Sequence, residues 1–156
     1  MSGRTGNGAT PRVVLHGRGA LPRSIERKVS MAHTQYAACI EACNACADAC
    51  DHCATACLQE ANPKPMARCV ALDMDCAAIC RTAAGFMARG SELAGEICAA
   101  CAEVCETCGA ECEKHEMQHC KECAEACRRC AQECRSMAKR ATGKAGRSGA
   151  GMRPGH

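Results

Sequence analysis

Tryptophan is absent, and phenylalanine and tyrosine occur once each in 156 residues. An ordinary globular core rests on large apolar and aromatic side chains, so that kind of interior is excluded. The same scarcity removes a base- or sugar-stacking surface, which needs aromatic faces. No apolar run approaches the ~20 residues that span a bilayer, so no transmembrane helix is expected. Residues 1–30 hold no apolar stretch longer than Val13-Val14-Leu15. That is too short for the hydrophobic centre of a secretory signal, and no twin-arginine pair precedes it. What the chain does have is cysteine, 19 residues of it, and the interior has to be built around them.

Dense cysteine usually marks a secreted disulfide scaffold. Here the count is odd and no leader is recognisable, so a cytoplasmic protein with reduced thiols is expected. In that setting a regular cysteine pattern points to metal. Charge is divided along the chain. Residues 1–30 carry six Lys/Arg against one Glu, and residues 139–156 carry five Lys/Arg and no acid. Between them, residues 31–138 carry nine basic and sixteen acidic residues. The formal net charge of +3 therefore belongs to the ends. These ends are rich in turn formers and lack periodicity, which reads as solvated disorder, and nucleic acid is not an expected partner. The expected organisation is a disordered basic extension over 1–30, with a partial helical turn at 24–30. A four-helix metal-storage domain follows over 31–140, and a disordered basic tail over 141–156.

The cysteines fall in four strings: Cys39, Cys43, Cys46, Cys50, Cys53 and Cys57; Cys69, Cys76 and Cys80; Cys98, Cys101, Cys105, Cys108 and Cys112; Cys120, Cys123, Cys127, Cys130 and Cys134. In the first, third and fourth the spacing alternates between three and four. That is the inward seam of a bundled helix. A strand needs a period of two, and none is present. Ala, Glu, Gln, Lys and Arg fill the gaps and favour helix. Asn62-Pro63-Lys64-Pro65 must end the first helix, and Gly90-Ser91 supplies a C-terminal glycine and an N-cap. Helices are expected near 32–61, 65–89, 92–114 and 118–140. Short links make successive helices antiparallel, so the fold class is all-α, an up-down four-helix bundle. The second helix departs from the pattern. It has three cysteines, Val70, Leu72 and Ile79 lie off the seam, and Asp73 falls near the inward face.

C-x-x-x-C occurs eight times, at 39/43, 46/50, 53/57, 76/80, 101/105, 108/112, 123/127 and 130/134. Residues i and i+4 of a helix hold their Cβ atoms about 5–6 Å apart, whereas a disulfide needs about 3.5–4.5 Å. A metal bridging two sulfurs at about 2.3 Å each spans the gap. Soft thiolates select Cu(I), Zn and Fe–S clusters. A four-thiolate zinc site carries two excess negative charges, and stacking several in a dry core is costly. Ferredoxin-type clusters use a trailing Cys-Pro, which is missing here. Cu(I) accepts two thiolates, and when every thiolate bridges two ions the load approaches one copper per cysteine and the column is neutral. All 19 cysteines are therefore expected to bind multiple Cu(I) ions. A single cysteine would read as a small buried hydrophobe, but eight pairs in register do not. A metallothionein-like Zn/Cd buffer is the alternative. A thiol redox enzyme would need a reactive C-x-x-C beside a βαβ pattern, and no catalytic step is expected.

The antiparallel arrangement gathers Cys57, Met66, His115, Met117 and His119 at one end, and Tyr36, Phe86, Met87, Leu93 and Met137 at the other. The second group reads as an apolar plug. The first offers imidazole and thioether, neutral ligands suited to passing Cu(I) inward. His115 continues the third seam, and Met66 falls at the same end. End-capping and gap-filling are the competing roles for these two. His119 is expected to point aside, and His52 to lie on the outer face.

Residues 32–140 resemble the bacterial copper storage proteins. The resemblance is carried by Cys-Ile-Glu-Ala-Cys-Asn-Ala-Cys at 39–46, His-Cys-Lys-Glu-Cys-Ala-Glu-Ala-Cys-Arg-Arg-Cys at 119–130, and the repeated C-x-x-x-C. It implies Cu(I) storage by thiolates lining a four-helix bundle, an open mouth with His and Met ligands, and a homotetramer. It also implies an exported and a cytosolic branch, and this chain is similar to the cytosolic one.

Overall fold

The computed structural model describes residues 22–148, and no strand occurs among them. The order is α1 (Arg23–Gln59), a 3-10 turn (Lys64–Met66), α2 (Ala67–Ala88), α3 (Ala94–Cys112) and α4 (Gln118–Ser148). Each helix packs on its neighbours in sequence, and α4 closes the ring against α1. This is the expected antiparallel bundle. No described helix is long and apolar enough to cross a membrane.

Helix ends follow the local chemistry. α1 stops at Gln59, ahead of the Asn62-Pro63 pair, and Glu60 turns extended. Gly90 adopts φ 63, the left-handed conformation that glycine takes without penalty. Its N–H reaches the Met87 carbonyl (2.9 Å) and the Ser91 N–H reaches that of Phe86 (3.0 Å), which is a Schellman closure of α2. Ser91 Oγ accepts from the Leu93 N–H at 3.2 Å, yet regular helix begins only at Ala94.

Two helices are longer than expected. The partial turn at 24–30 is continuous with α1, which starts at Arg23. Residues 141–148, expected as tail, continue α4. Ala141 and the residues on either side keep helix propensity, and no proline intervenes before Pro154. The disorder expected over 1–21 and 149–156 lies outside the described residues.

All 19 cysteines are buried, accompanied by small residues such as Ala47, Ala77, Ala83, Ala102 and Ala124. Small side chains let the helices approach. At Gly109 a Cβ would lie 3.2 Å from Cys127 Cβ, so α3 and α4 meet there on glycine. Val70, Leu72 and Ile79 of α2 are half-buried against the core, while Met74 and Leu58 are exposed. The outer surface of α3 and α4 is strapped by ion pairs between Glu106 and Arg135 and between Glu113 and Arg128.

Candidate metal centre

Alternating three- and four-residue spacing points every seam sulfur to the bundle axis, and the four seams interleave there. From α1 to α4 the sulfur contacts climb in steps: Cys43–Cys134 3.6 Å, Cys43–Cys130 3.7 Å, Cys46–Cys127 3.7 Å, Cys50–Cys123 3.6 Å, Cys57–Cys120 3.7 Å. On the other side, Cys80 meets Cys105 at 3.5 Å, Cys76 meets Cys105 at 3.6 Å, and Cys69 meets Cys112 at 3.5 Å. Within one helix, the i,i+4 sulfurs of Cys53–Cys57 and Cys101–Cys105 stand 4.0 and 3.9 Å apart. All 19 are free thiols, and these separations are near the span that two metal–sulfur bonds of about 2.3 Å bridge.

Groups of four sulfurs lie within 4.8 Å of one another, and they overlap. Cys46, Cys80, Cys105 and Cys130 form one group, with one thiol from each helix. Cys46 also belongs with Cys50, Cys76 and Cys127, and Cys127 with Cys50, Cys108 and Cys123. A sulfur shared between groups is placed to bridge ions. Cys43, Cys101, Cys130 and Cys134 form a group deeper in the bundle, and Cys53, Cys57, Cys69 and Cys120 one near the His-lined end. Cys39 and Cys98 are buried with them.

Asp73 takes a seam position, four residues after Cys69 and three before Cys76, and is fully buried. Its Oδ1 accepts from the thiols of Cys108 (3.1 Å), Cys123 (3.3 Å) and Cys112 (3.4 Å), and its Oδ2 from Cys69 at 3.7 Å. Burial, with Cys123 and Cys108 adding to it, raises its pKa to about 10. The carboxyl is therefore protonated in neutral solution, a form a dry core tolerates. Burial likewise pushes the Cys57 and Cys120 thiols up. A soft cation that binds here has to displace protons.

The end where α3 gives way to α4 holds the other candidate ligands. Met66 is buried and Met117 packs against the core. His115 has a buried Nε2 with no hydrogen-bond partner. A buried ring nitrogen without a partner is a polar group left unsatisfied by the protein itself. His119 does not point aside as expected. Its Nε2 lies 3.5 Å from Cys57 Sγ. It sits in the first turn of α4, four residues before Cys123, and i,i+4 spacing places both on one face. The seam's one-residue slip between Cys112 and Cys120 concealed this.

At the opposite end Met87 and Met137 are buried, Tyr36 and Phe86 are half-buried against the core, and the Arg89 guanidinium stands 5.1 Å over the Phe86 ring. Leu93 does not join the plug. It is exposed, because it falls in the turn before α3. His52 is exposed, as expected. Sequence reasoning missed Glu111, which is buried and shared between Arg68 (3.0 Å) and Lys114 (2.7 Å). Both cations hold its carboxyl below the usual range, Lys114 more strongly.

A family model described as copper storage protein matches residues 32–139. Among solved structures, the chain is similar to the Cu(I)-bound copper storage protein BsCsp3, at 50% identity and a TM-score of 0.64, covering 66% of this chain and 97% of that one. The apo form of copper storage protein 3 from Bacillus subtilis matches at 50% identity and a TM-score of 0.62, covering 66% and 98%. A cytosolic copper storage protein from Streptomyces lividans, in a copper-loading study with five coppers, matches at 39% identity and a TM-score of 0.67, covering 70% and 97%. An uncharacterized cysteine-rich protein of Bacillus subtilis (strain 168) is 51% identical over 69 residues, 44% of this chain, and the match spans 64% of that protein's length.

Proposed function

The chain belongs to the copper storage protein family, and on that premise we propose that it stores Cu(I) on the thiolates lining its bundle. The observation that carries this reading is the overlap of four-thiol groups, with Cys46, Cys80, Cys105 and Cys130 meeting from all four helices. Shared sulfurs suit a two-coordinate soft cation. They suit separate tetrahedral zinc sites poorly, because each zinc needs four thiolates of its own and leaves net negative charge. A load of about one Cu(I) per cysteine keeps the column neutral. Each ion that binds replaces one thiol proton.

Copper arrives at the end of Met66, His115, Met117 and His119 and passes first to Cys57 and its group. Neutral imidazole and thioether hold the ion without adding charge and release it to the stronger thiolates. The remaining cysteines fill from there. The protein works by binding, with no catalytic step, in the cytoplasm. Likeness to cytosolic relatives supports the location, and exposed Leu58 and Met74 offer apolar surface for a homotetramer.

Anaerobic titration of the reduced protein with Cu(I) against a competing chelator tests the reading. Saturation near one ion per cysteine, undisturbed by excess Zn(II), is expected. Saturation at a few ions, or displacement of copper by zinc, would replace it with the Zn/Cd buffer.

A further inference from the structure

We infer that Glu60 positions the His119 imidazole for Cu(I), by engaging Nδ1 so that Nε2 carries the free lone pair facing Cys57. The inference rests on the storage reading above and on the His-lined end as the way in.

Glu60 closes α1. Its backbone is extended (φ −65, ψ 152), and its N–H bonds the Cys57 carbonyl at 3.4 Å. One turn of chain thus carries both the last thiol of α1 and this carboxylate. Pro63 and Pro65 follow, and fixed φ values there limit how far the segment swings. Across from it, His119 lies in the first turn of α4, which begins at Gln118. Its Nε2 is 3.5 Å from Cys57 Sγ, and its Nδ1 is 4.0 Å from Glu60 Oε1. The two ring nitrogens face different partners. The positive end of α4 also favours a carboxylate beside that turn. The His119 side chain is 13% exposed and that of Glu60 37%, so the carboxylate stands at the water boundary with the imidazole behind it. A gap of 4.0 Å closes by a modest rotation or by one bridging water.

Neutral imidazole has one N–H and one lone pair, and the nitrogen that meets a carboxylate keeps the hydrogen. With the hydrogen on Nδ1, Nε2 accepts from the Cys57 thiol before loading and donates its lone pair to an arriving Cu(I). Without Glu60 the ring is free to turn an N–H toward the sulfur, where no cation can bind it. Carboxylates behind metal-binding imidazoles fix ring orientation in the same way. A hard carboxylate oxygen is a poor Cu(I) ligand itself, so Glu60 acts through His119.

Nitrogen-15 correlation spectra of the histidine side chains in the reduced, copper-free full chain test the inference directly. His119 is expected as the Nδ1–H tautomer in the wild type and in Glu60→Gln, whose amide oxygen still accepts, and as Nε2–H in Glu60→Ala. Cu(I) transfer from a chelator should slow roughly tenfold in Glu60→Ala, no further in Glu60→Ala/His119→Ala, and hardly at all in Glu60→Gln. An Nε2–H tautomer in the wild type, or a Glu60→Ala variant with wild-type tautomer and rate, would overturn it. Copper capacity reports separately on storage. A chain that takes up few ions defeats the storage reading whatever the tautomer.

Discussion

At one end of the bundle the thiol column meets His115, His119, Met66 and Met117; at the other it meets Met87, Met137, Phe86 and Tyr36. The antiparallel topology makes the ends near-equivalent as architecture, with two helix starts and two helix finishes each. They differ in what their side chains offer a cation. The first end presents nitrogen lone pairs, one of them buried and unpartnered, and the charged frame of Glu60, Glu111, Arg68 and Lys114. The second closes on thioether and ring carbon, with Arg89 laid over Phe86. On the proposed reading the first end is the way in and the second is the seal.

The seal should matter for stability and not for traffic. Met87 is fully buried, and truncating a buried methionine to alanine costs about 2–5 kcal/mol. Met87→Ala should therefore lower the stability of the copper-free protein by that amount in urea unfolding, while leaving the rate of Cu(I) uptake unchanged. Leu93→Ser, on the same end but exposed, should change stability by less than about 0.5 kcal/mol. Faster uptake in Met87→Ala would mean that copper also passes the far end, and the contrast between the ends would fail.

Asp73 sharpens the comparison along the column, because all its thiol partners, Cys69, Cys108, Cys112 and Cys123, belong to the half nearer the His-lined end. The carboxyl ionises at 3.8 in its ordinary state and at about 10 here. Between those values the folded protein holds a proton that the unfolded chain has lost. The stability this group contributes is therefore full below pH 3.8 and is lost as pH rises toward 10, by at most about 1.4 kcal/mol per pH unit. Copper-free Asp73→Asn should lose that slope between pH 5 and 7.5 and be the more stable protein at the upper limit. Parallel stability curves for the two chains would show that Asp73 is ionised in the core.

The helices, their order and the inward thiols were legible because one residue type marks the seam and its spacing has a single structural solution. Other features were not. α4 runs past 140 because composition alone does not separate a Gly-containing helix from a loop. Leu93 points outward because the first turn of α3 starts two residues later than its cap suggests. His119 faces Cys57 because the seam shifts by one residue across the α3–α4 turn, and local spacing cannot say which of two adjacent residues then points in. The Glu60–His119 pairing joins residues far apart in sequence, and only the packed ends of α1 and α4 bring them together.

A further effect is expected on the kinetics of the His-lined end. His115 continues the α3 seam three residues after Cys112, and its Nε2 is buried without a partner. Removing the imidazole leaves all 19 thiols in place, so His115→Ala should keep nearly the full copper capacity. What it loses is a neutral ligand that shortens the step from solvent to the first thiolates, a loss on the order of tenfold in uptake rate, or about 1.4 kcal/mol in the barrier. Stopped-flow transfer from a chelator measures that rate, and endpoint titration measures capacity on the same sample. A large fall in capacity with an unchanged rate would make His115 part of the store and not of its mouth. The two ends would then differ in sealing alone, and the way in would have to be sought where the ion pairs of α3 and α4 cover the bundle's flank.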